Sequence, residues 1–336
     1  MVVACEMKTM HITIDTRQPR RFLAIDLGGT KTAVCIGDES GRLLHTDRMP
    51  TEADTSPERW LERLSVLITS VRRAAGVELS DLSAVGLAVP GPMNVATGMV
   101  LEPPNMPAWR RVPVKSWVEQ LTGLPVHINN DANAAVLAEY RYGAFRGTPD
   151  LIYLTMSTGI GGGIISGGRL VQGANDLGGE VGHMVLDPDG PACPCGQRGC
   201  LEMYCGGRNV IRQVQIELAE GATSTALEES NGNPDGITLS ALARAAKRGD
   251  PLAARYWDRF IERLAQGIGI LCMSFNPSAI VLGTAAIHTG DLMLAPLRER
   301  LPRYAWKAAT RDLHISPSAI GPHIGELGAL ALAVER

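Results

Sequence analysis

Two stretches of the chain repeat one design. FLAIDLGGTKTAVCIGDESGRLL (22–44) and LIYLTMSTGIGGGIISGGRLVQG (151–173) each read as an apolar strand, a Gly-rich turn, a second strand, another turn and a third strand carrying Gly-Arg-Leu. Apolar runs of this length bounded by glycines suit strands of a buried sheet better than helices. Two halves that each open with such a hairpin predict duplicated βββαβα domains, facing each other across a cleft. The class is therefore α/β.

The segments between the hairpins fit that plan. Residues 57–75 place Trp60, Leu61, Leu64, Leu67, Ile68 and Val71 at helical intervals. LSAVGLAVPGP (82–92) reads as a buried strand entering a proline-rimmed loop, and PVHINND (125–131) as a strand ending on polar residues. Helices are predicted over 115–122 and over 133–142, the latter stopped by Gly143. Beyond the second hairpin the chain turns mainly helical, over 208–220, 238–248 and 251–274, with 219–236 a polar surface loop. SAIVLGTAA (278–286) is expected to be the last buried strand, ending in a glycine turn, and 323–336 a closing helix.

With 336 residues and 45% hydrophobic composition the chain can bury the cores of two domains. A formal charge of −3 offers no broad basic field, which argues against sequence-independent nucleic-acid binding. No apolar run reaches the roughly 18 residues of a membrane span. Residues 1–20 mix charges with apolar residues, lack a secretory core, and are read as a poorly ordered extension. A cytoplasmic protein without membrane or nucleic-acid partners is the expectation.

Four segments carry chemistry. Asp26-Leu27-Gly28-Gly29-Thr30 sets a carboxylate beside bare backbone N–H groups, which suits phosphate and Mg²⁺ as well as it suits a plain hairpin turn. A second Gly-rich turn, 157–163, favours two phosphate clips over two accidents. Asn129-Asn130-Asp131 lies between a strand end and a helix start. Asp131 there is either a helix cap or a general base taking the proton of a substrate hydroxyl during phosphoryl transfer. The fourth segment, 175–204, holds Glu180, His183, Cys193, Cys195, Cys200 and Glu202. Its thiols and imidazole fit tetrahedral zinc, ordinary reduced thiols, or a disulfide, and the spacing alone leaves these open. Glu180, His183 and Glu202 look like a set for the vicinal hydroxyls of a polyol. Aromatics total only 4%, so stacking platforms of a carbohydrate-binding module are poorly supported.

IDLGGTK (25–31), VPGP (89–92), NNDANAA (129–135), STGIGGG (157–163), LGGEVGHM (177–184) and CPCGQRGCLE (193–202) together resemble the ROK family of bacterial sugar kinases and related repressors. The resemblance covers essentially residues 21–336. It implies an actin-like ATPase/hexokinase-type fold: an N-terminal α/β domain of 21–135 to which 322–336 return, and a C-terminal α/β domain of 136–321. It implies ATP and Mg²⁺ between them, and a homo-oligomer, dimer or tetramer. Asp131 would be the catalytic base. Gly91, Asn105, Asn130, Asp131, Glu180, His183 and Glu202 would hold a hexose. Asp26, Gly28, Gly29, Thr30, Lys31, Thr158, Gly159 and Gly283 would face the nucleotide. A structural zinc would sit on His183, Cys193, Cys195 and Cys200. Zinc on one ring nitrogen of His183 would fix the other as N–H, free to donate to a sugar hydroxyl. Where the family has a glycine triplet after its late strand, this chain has Thr284-Ala285-Ala286, whose side chains narrow the nucleoside space. Cys205 and Cys272 match no ligand position and read as buried thiols.

The expected activity is phosphorylation of glucose, forming glucose 6-phosphate. Kinases of N-acetylglucosamine or N-acetylmannosamine are the alternatives, with the loop 104–109 the one candidate recess for an acetyl arm. A sugar-responsive repressor is disfavoured, since 25 residues ahead of Asp26 leave no room for a winged helix-turn-helix.

Overall fold

The computed structural model describes residues 19–335. The expectation for the first 18 residues lies outside that range. Two five-stranded mixed sheets share one strand order. In the first, β1 (Arg21–Leu27), β2 (Lys31–Asp38) and β3 (Leu43–Pro50) form an antiparallel meander. Then β4 (Leu82–Val89) and β7 (Val126–Asn130) extend it in parallel from β1. α1 (Pro57–Ala75) connects β3 to β4, and a small hairpin of β5 (Met93–Asn94) and β6 (Met99–Val100) followed by α2 (Val114–Thr122) connects β4 to β7. Ser56 caps α1 and Pro57 opens it, while Gly76 in a left-handed conformation ends it.

After α3 (Asp131–Tyr142) the second sheet repeats the scheme. β8 (Leu151–Met156), β9 (Ile160–Ser166) and β10 (Arg169–Leu170) run antiparallel, and β11 (Ala279–Leu282) joins β8 in parallel. The excursion from β10 to β11 holds the cysteine loop and α4 (Leu201–Cys205), α5 (Gly207–Ala219), α6 (Leu239–Lys247) and α7 (Pro251–Phe275). The polar stretch before α6 forms two short 3₁₀ turns that bury Ala226. Cys205 and Cys272 are buried thiols.

Residues 278–286 depart from the expectation. The strand stops at Leu282, and α8 (Thr284–Thr289) begins in what reads as a glycine turn. It is also not the last strand. Past α9 (Asp291–Arg300) and α10 (Lys307–Thr310), β12 (His314–Pro317) completes the sheet beside β11. HISP is too short and too poor in buried side chains to announce itself: only Ile315 among the four is buried. Its position on the sheet edge tolerates the proline, which needs no ladder partner there.

The final helix, α11 (Ile324–Val334), packs with α3 between the sheets. One core joins Ala24, Cys35 and Ala88 of the first sheet, Leu151, Tyr153 and Val281 of the second, and Ala134 to Leu137 and Ala329 to Ala333 of the two helices. Alanines and glycines let these helices approach closely, so this core is thin. Two bulkier cores lie outside it. One packs α1, α2 and the 100–112 loop on the first sheet, the other packs α4 to α9 on the second. None of the described helices is long and apolar enough to cross a membrane.

Candidate active site

Three cavities follow one another along the cleft. The first, of about 470 Å³, is lined by Gly91, Asn105, Asn130, Asp131, Glu180 and His183, with Leu177 and Cys195 at its wall. The second, also about 470 Å³, lies between the two Gly-rich turns, against Gly28, Gly29 and Thr30 on one side and Thr158 and Gly159 on the other. Asp131, Gly91 and Asn105 belong to both. The third, about 380 Å³, is walled by Ile211, Leu239, Ala285, Thr284 and His288, and shares Ser157, Thr158 and Arg208 with the second. Asp131 marks the first junction, Thr158 and Arg208 the second.

Asp131 owes its freedom to its neighbour. The helix α3 starts two residues earlier than the sequence suggests, because Asn130 takes the cap: its Oδ1 accepts from Asn133 N at 2.7 Å. Asn129 Oδ1 accepts in turn from Asn133 Nδ2 at 3.0 Å, locking the strand end to the helix. Among the described residues the Asp131 side chain is left with a single bond, from Ala132 N at 2.9 Å, and its carboxylate opens into the cleft. Loss of water between the cleft walls, helped by the charge of Glu180, pushes its carboxyl up to about 6. A carboxylate with a pKa near the working pH is suited to take a proton.

Asp26 sits behind the first Gly-rich turn, at the end of β1. Its carboxylate rests on Gly325 of α11, where a Cβ would come within 2.1 Å of Oδ2. Burial, then the charges of Asp131 and Glu326, push it up to about 7, against the pull of Lys31 and Arg48. A carboxylate held so uncomfortably accepts a cation readily. Glu326 and Arg48, an almost fully buried acid paired with a half-exposed guanidinium, went unnoticed in the sequence. A lone Glu in the apolar run of α11 was the available signal.

Glu202 is placed differently from the expectation. It lines the middle cavity rather than sharing the first with Glu180 and His183, and its Oε2 accepts from Ile160 N at 2.9 Å. Gly159 makes this possible, since a Cβ there would lie 2.2 Å from the same oxygen. Two other expected residues stand back. Lys31 is an exposed residue opening β2 and lines none of the three cavities, and neither does Gly283. Gly283 is buried beneath Tyr153, and Thr284 and Ala285 form the wall in its place. Arg208 was missed altogether. It opens α5, lines two cavities, and donates from Nη1 to Asn105 Oδ1 at 3.4 Å across the cleft.

The cysteine loop brings His183, Cys193, Cys195 and Cys200 together, with their ligand atoms all within 4.8 Å of one another. Cys193 Sγ lies 3.6 Å from His183 Nδ1, and the sulfurs of Cys195 and Cys200 are 3.7 Å apart. Zn–S and Zn–N bonds of about 2.3 and 2.0 Å at tetrahedral angles require separations of about 3.8 and 3.5 Å. The donor set and its spacing fit zinc. A disulfide does not fit, since bonded sulfurs lie about 2.05 Å apart.

Paired mixed sheets with a cleft, two Gly-rich turns and the Asp131 carboxylate between them define a two-lobed phosphotransferase of the actin-like ATPase/hexokinase class. The ROK family profile matches residues 22–336, and the chain belongs to that family. It is 32% identical over 316 residues to a glucokinase of Thermotoga maritima, covering 94% of this chain and 98% of that one. An N-acetylmannosamine kinase of Escherichia fergusonii is 36% identical over 225 residues, 67% of this chain and 74% of that one. A crystal structure of a ROK family glucokinase from Streptomyces griseus in complex with glucose and AMPPNP is similar at a TM-score of 0.78 and 33% identity, covering 93% and 99% of the two chains.

Proposed function

We propose that this chain is an ATP-dependent hexose kinase that converts glucose to glucose 6-phosphate. The observation that carries the reading is the line of three cavities joined at Asp131 and at Thr158. A sugar, a polyphosphate and a nucleoside need such spaces in that order, and the reacting atoms must meet at the first junction. Asn130, Glu180 and His183 address hydroxyls in the first cavity and orient one of them toward Asp131. Asp131 then takes its proton as the oxygen attacks the terminal phosphorus and the bond from that phosphorus to the departing ADP breaks. Gly28, Gly29 and Thr30 face Thr158 and Gly159 across the phosphates, offering backbone N–H groups where charge develops. Mg²⁺, brought with the nucleotide, supplies charge neutralisation, and Asp26 is the carboxylate that would hold it, directly or through water.

Zinc on His183, Cys193, Cys195 and Cys200 would supply a rigid anchor without redox chemistry. His183 turns Nδ1 toward the thiols, so its other nitrogen is left to donate to the sugar. Relatives named as glucokinases and the fit of ATP to the middle and third cavities support the donor and acceptor. ATP supply and reduced thiols both suit a cytoplasmic location. A homo-oligomer is part of the reading, with exposed Trp306, Met273 and Ile270 as a surface for it, and light scattering on a sizing column decides it.

Glucose is favoured over N-acetylhexosamines by the loop after Pro104. Met106 and Trp109 turn inward, 1% and 0% exposed, and Trp109 packs edge-on against Trp60 at 5.2 Å. They are spent on the first core rather than on an acetyl recess, and the loop presents Pro104 and Asn105 to the sugar cavity. Exposed Leu177 on the opposite wall, with the N-acetylmannosamine kinase likeness, carries the second reading. A steady-state panel of hexoses with ATP separates them. The expected kcat/KM for glucose is at least about tenfold above either N-acetylhexosamine. Preference for an N-acetyl sugar transfers the assignment, and turnover of no sugar ends the kinase reading.

A further inference from the structure

The middle cavity has a charge problem. Asp131 and Glu202 both line it, and a nucleotide polyphosphate entering it adds several more negative charges. Among its described lining residues Arg208 is the only cation. We propose that Arg208 is a nucleotide-phosphate-binding residue that clasps the polyphosphate from the second half of the molecule while bridging to Asn105 of the first. The inference rests on the sugar-kinase reading for the identity of the anion.

Three features of the structure place it there. Its backbone is fastened to the second Gly-rich turn, where Gly207 N donates to Ser157 O at 2.9 Å and Arg208 N to Thr158 O at 3.1 Å. The guanidinium therefore moves with the turn that would face the phosphates. The side chain is exposed and, among the described residues, no carboxylate pairs with it, so none of them takes up its charge. Its one side-chain bond among the described residues, to Asn105 Oδ1, is to a neutral acceptor. A guanidinium carries five N–H donors in a planar fork, so it can keep Asn105 and still grip a phosphate with two others. It also sits where the middle and third cavities meet, the position for the phosphates nearest the nucleoside.

The test compares nucleotide binding by wild type, Arg208→Met and Arg208→Lys, using calorimetry with ATP, AMP and adenosine, and turnover with glucose. Arg208→Met keeps the length of the stem and alters an exposed position, so folding should survive. The expected result is ATP affinity weakened by at least about tenfold, with adenosine affinity unchanged. KM for ATP should rise accordingly while KM for glucose moves much less, and Arg208→Lys should restore part of the loss. Unchanged ATP affinity, or equal weakening for ATP and adenosine, overturns the proposal. The two readings fail separately. A wild-type protein that binds ATP in an Arg208-dependent way yet phosphorylates no hexose loses the kinase assignment and keeps this one.

Discussion

The two sheets are alike in strand order and opening hairpin, yet they spend their connections differently. The first half runs from β3 to β4 through one helix and returns to its sheet quickly. It contributes Asp26, its Gly-rich turn and Asp131, the groups proposed above to act on phosphorus and on a proton. The second half inserts the cysteine loop and four helices between β10 and β11. It contributes Glu180 and His183 to the first cavity, and Glu202, Thr158 and Gly159 to the second. A duplicated hairpin gives two opposed Gly-rich turns, and the second half adds the long insertion. The sugar cavity proposed above takes Glu180 and His183 from the insertion, and Gly91, Asn105 and Asn130 from the first half.

Removing the acid of the first half should have the largest effect. Asp131→Asn keeps the shape, and the Asn130 cap is untouched, so the fold should survive while kcat falls by about 10²–10⁴-fold. Near-normal turnover in a folded variant would take Asp131 out of the mechanism. The same group sets a pH dependence. Its folded carboxyl, raised to about 6 by the cleft and Glu180, is protonated below that pH and cannot accept a proton. The value of kcat/KM should therefore decline about tenfold per pH unit below 6, and level off above it unless Asp26, at about 7, must also ionise. In that case the fall starts near 7 and steepens. A flat profile from 5 to 8 would contradict both.

Breaking the insertion should be milder and should fall on the sugar. Metal analysis is expected to find about one zinc per chain. Cys195→Ser should lose it and raise KM for glucose by about tenfold, because His183 loses the anchor that orients its ring. KM for ATP should hold. Metal-free protein with an unaltered KM for glucose would sink the coupling.

The smallest effect compares the two turns directly. A Cβ at Gly29 would meet nothing nearer than 3.5 Å, whereas one at Gly159 would strike Glu202 at 2.2 Å. Gly29→Ala, whose Cβ would make only ordinary contacts, should leave thermal stability unchanged and raise KM for ATP several-fold if the turn faces phosphate as proposed. Gly159→Ala should lower stability as well, having displaced the bond from Ile160 N to Glu202. Equal thermal shifts in the two variants would mean the turns are not as unequal as their packing says.

Much of this was written locally. Apolar runs broken by glycine fixed β1, β2, β8 and β9, because period and turn chemistry act over a few residues. The NND segment and the His-Cys cluster could be picked out by residue type, and Cys193, Cys195 and Cys200 lie close enough in sequence to meet on one loop. β12 could not be read, since HISP becomes a strand only by lying beside β11. Whether Asp131 was a cap or a free carboxylate turned on which of two adjacent residues reached Asn133 N, and that depended on how β7 enters α3. Glu202 could not be assigned to one cavity from sequence, because its direction is set by the space that Gly159 leaves 43 residues earlier. The meeting of Arg208 with Asn105, and of Glu326 with Arg48, belongs to the same kind. Such pairs are long-range, made by two sheets packed around α3 and α11, and no local pattern encodes which side chains that packing brings face to face.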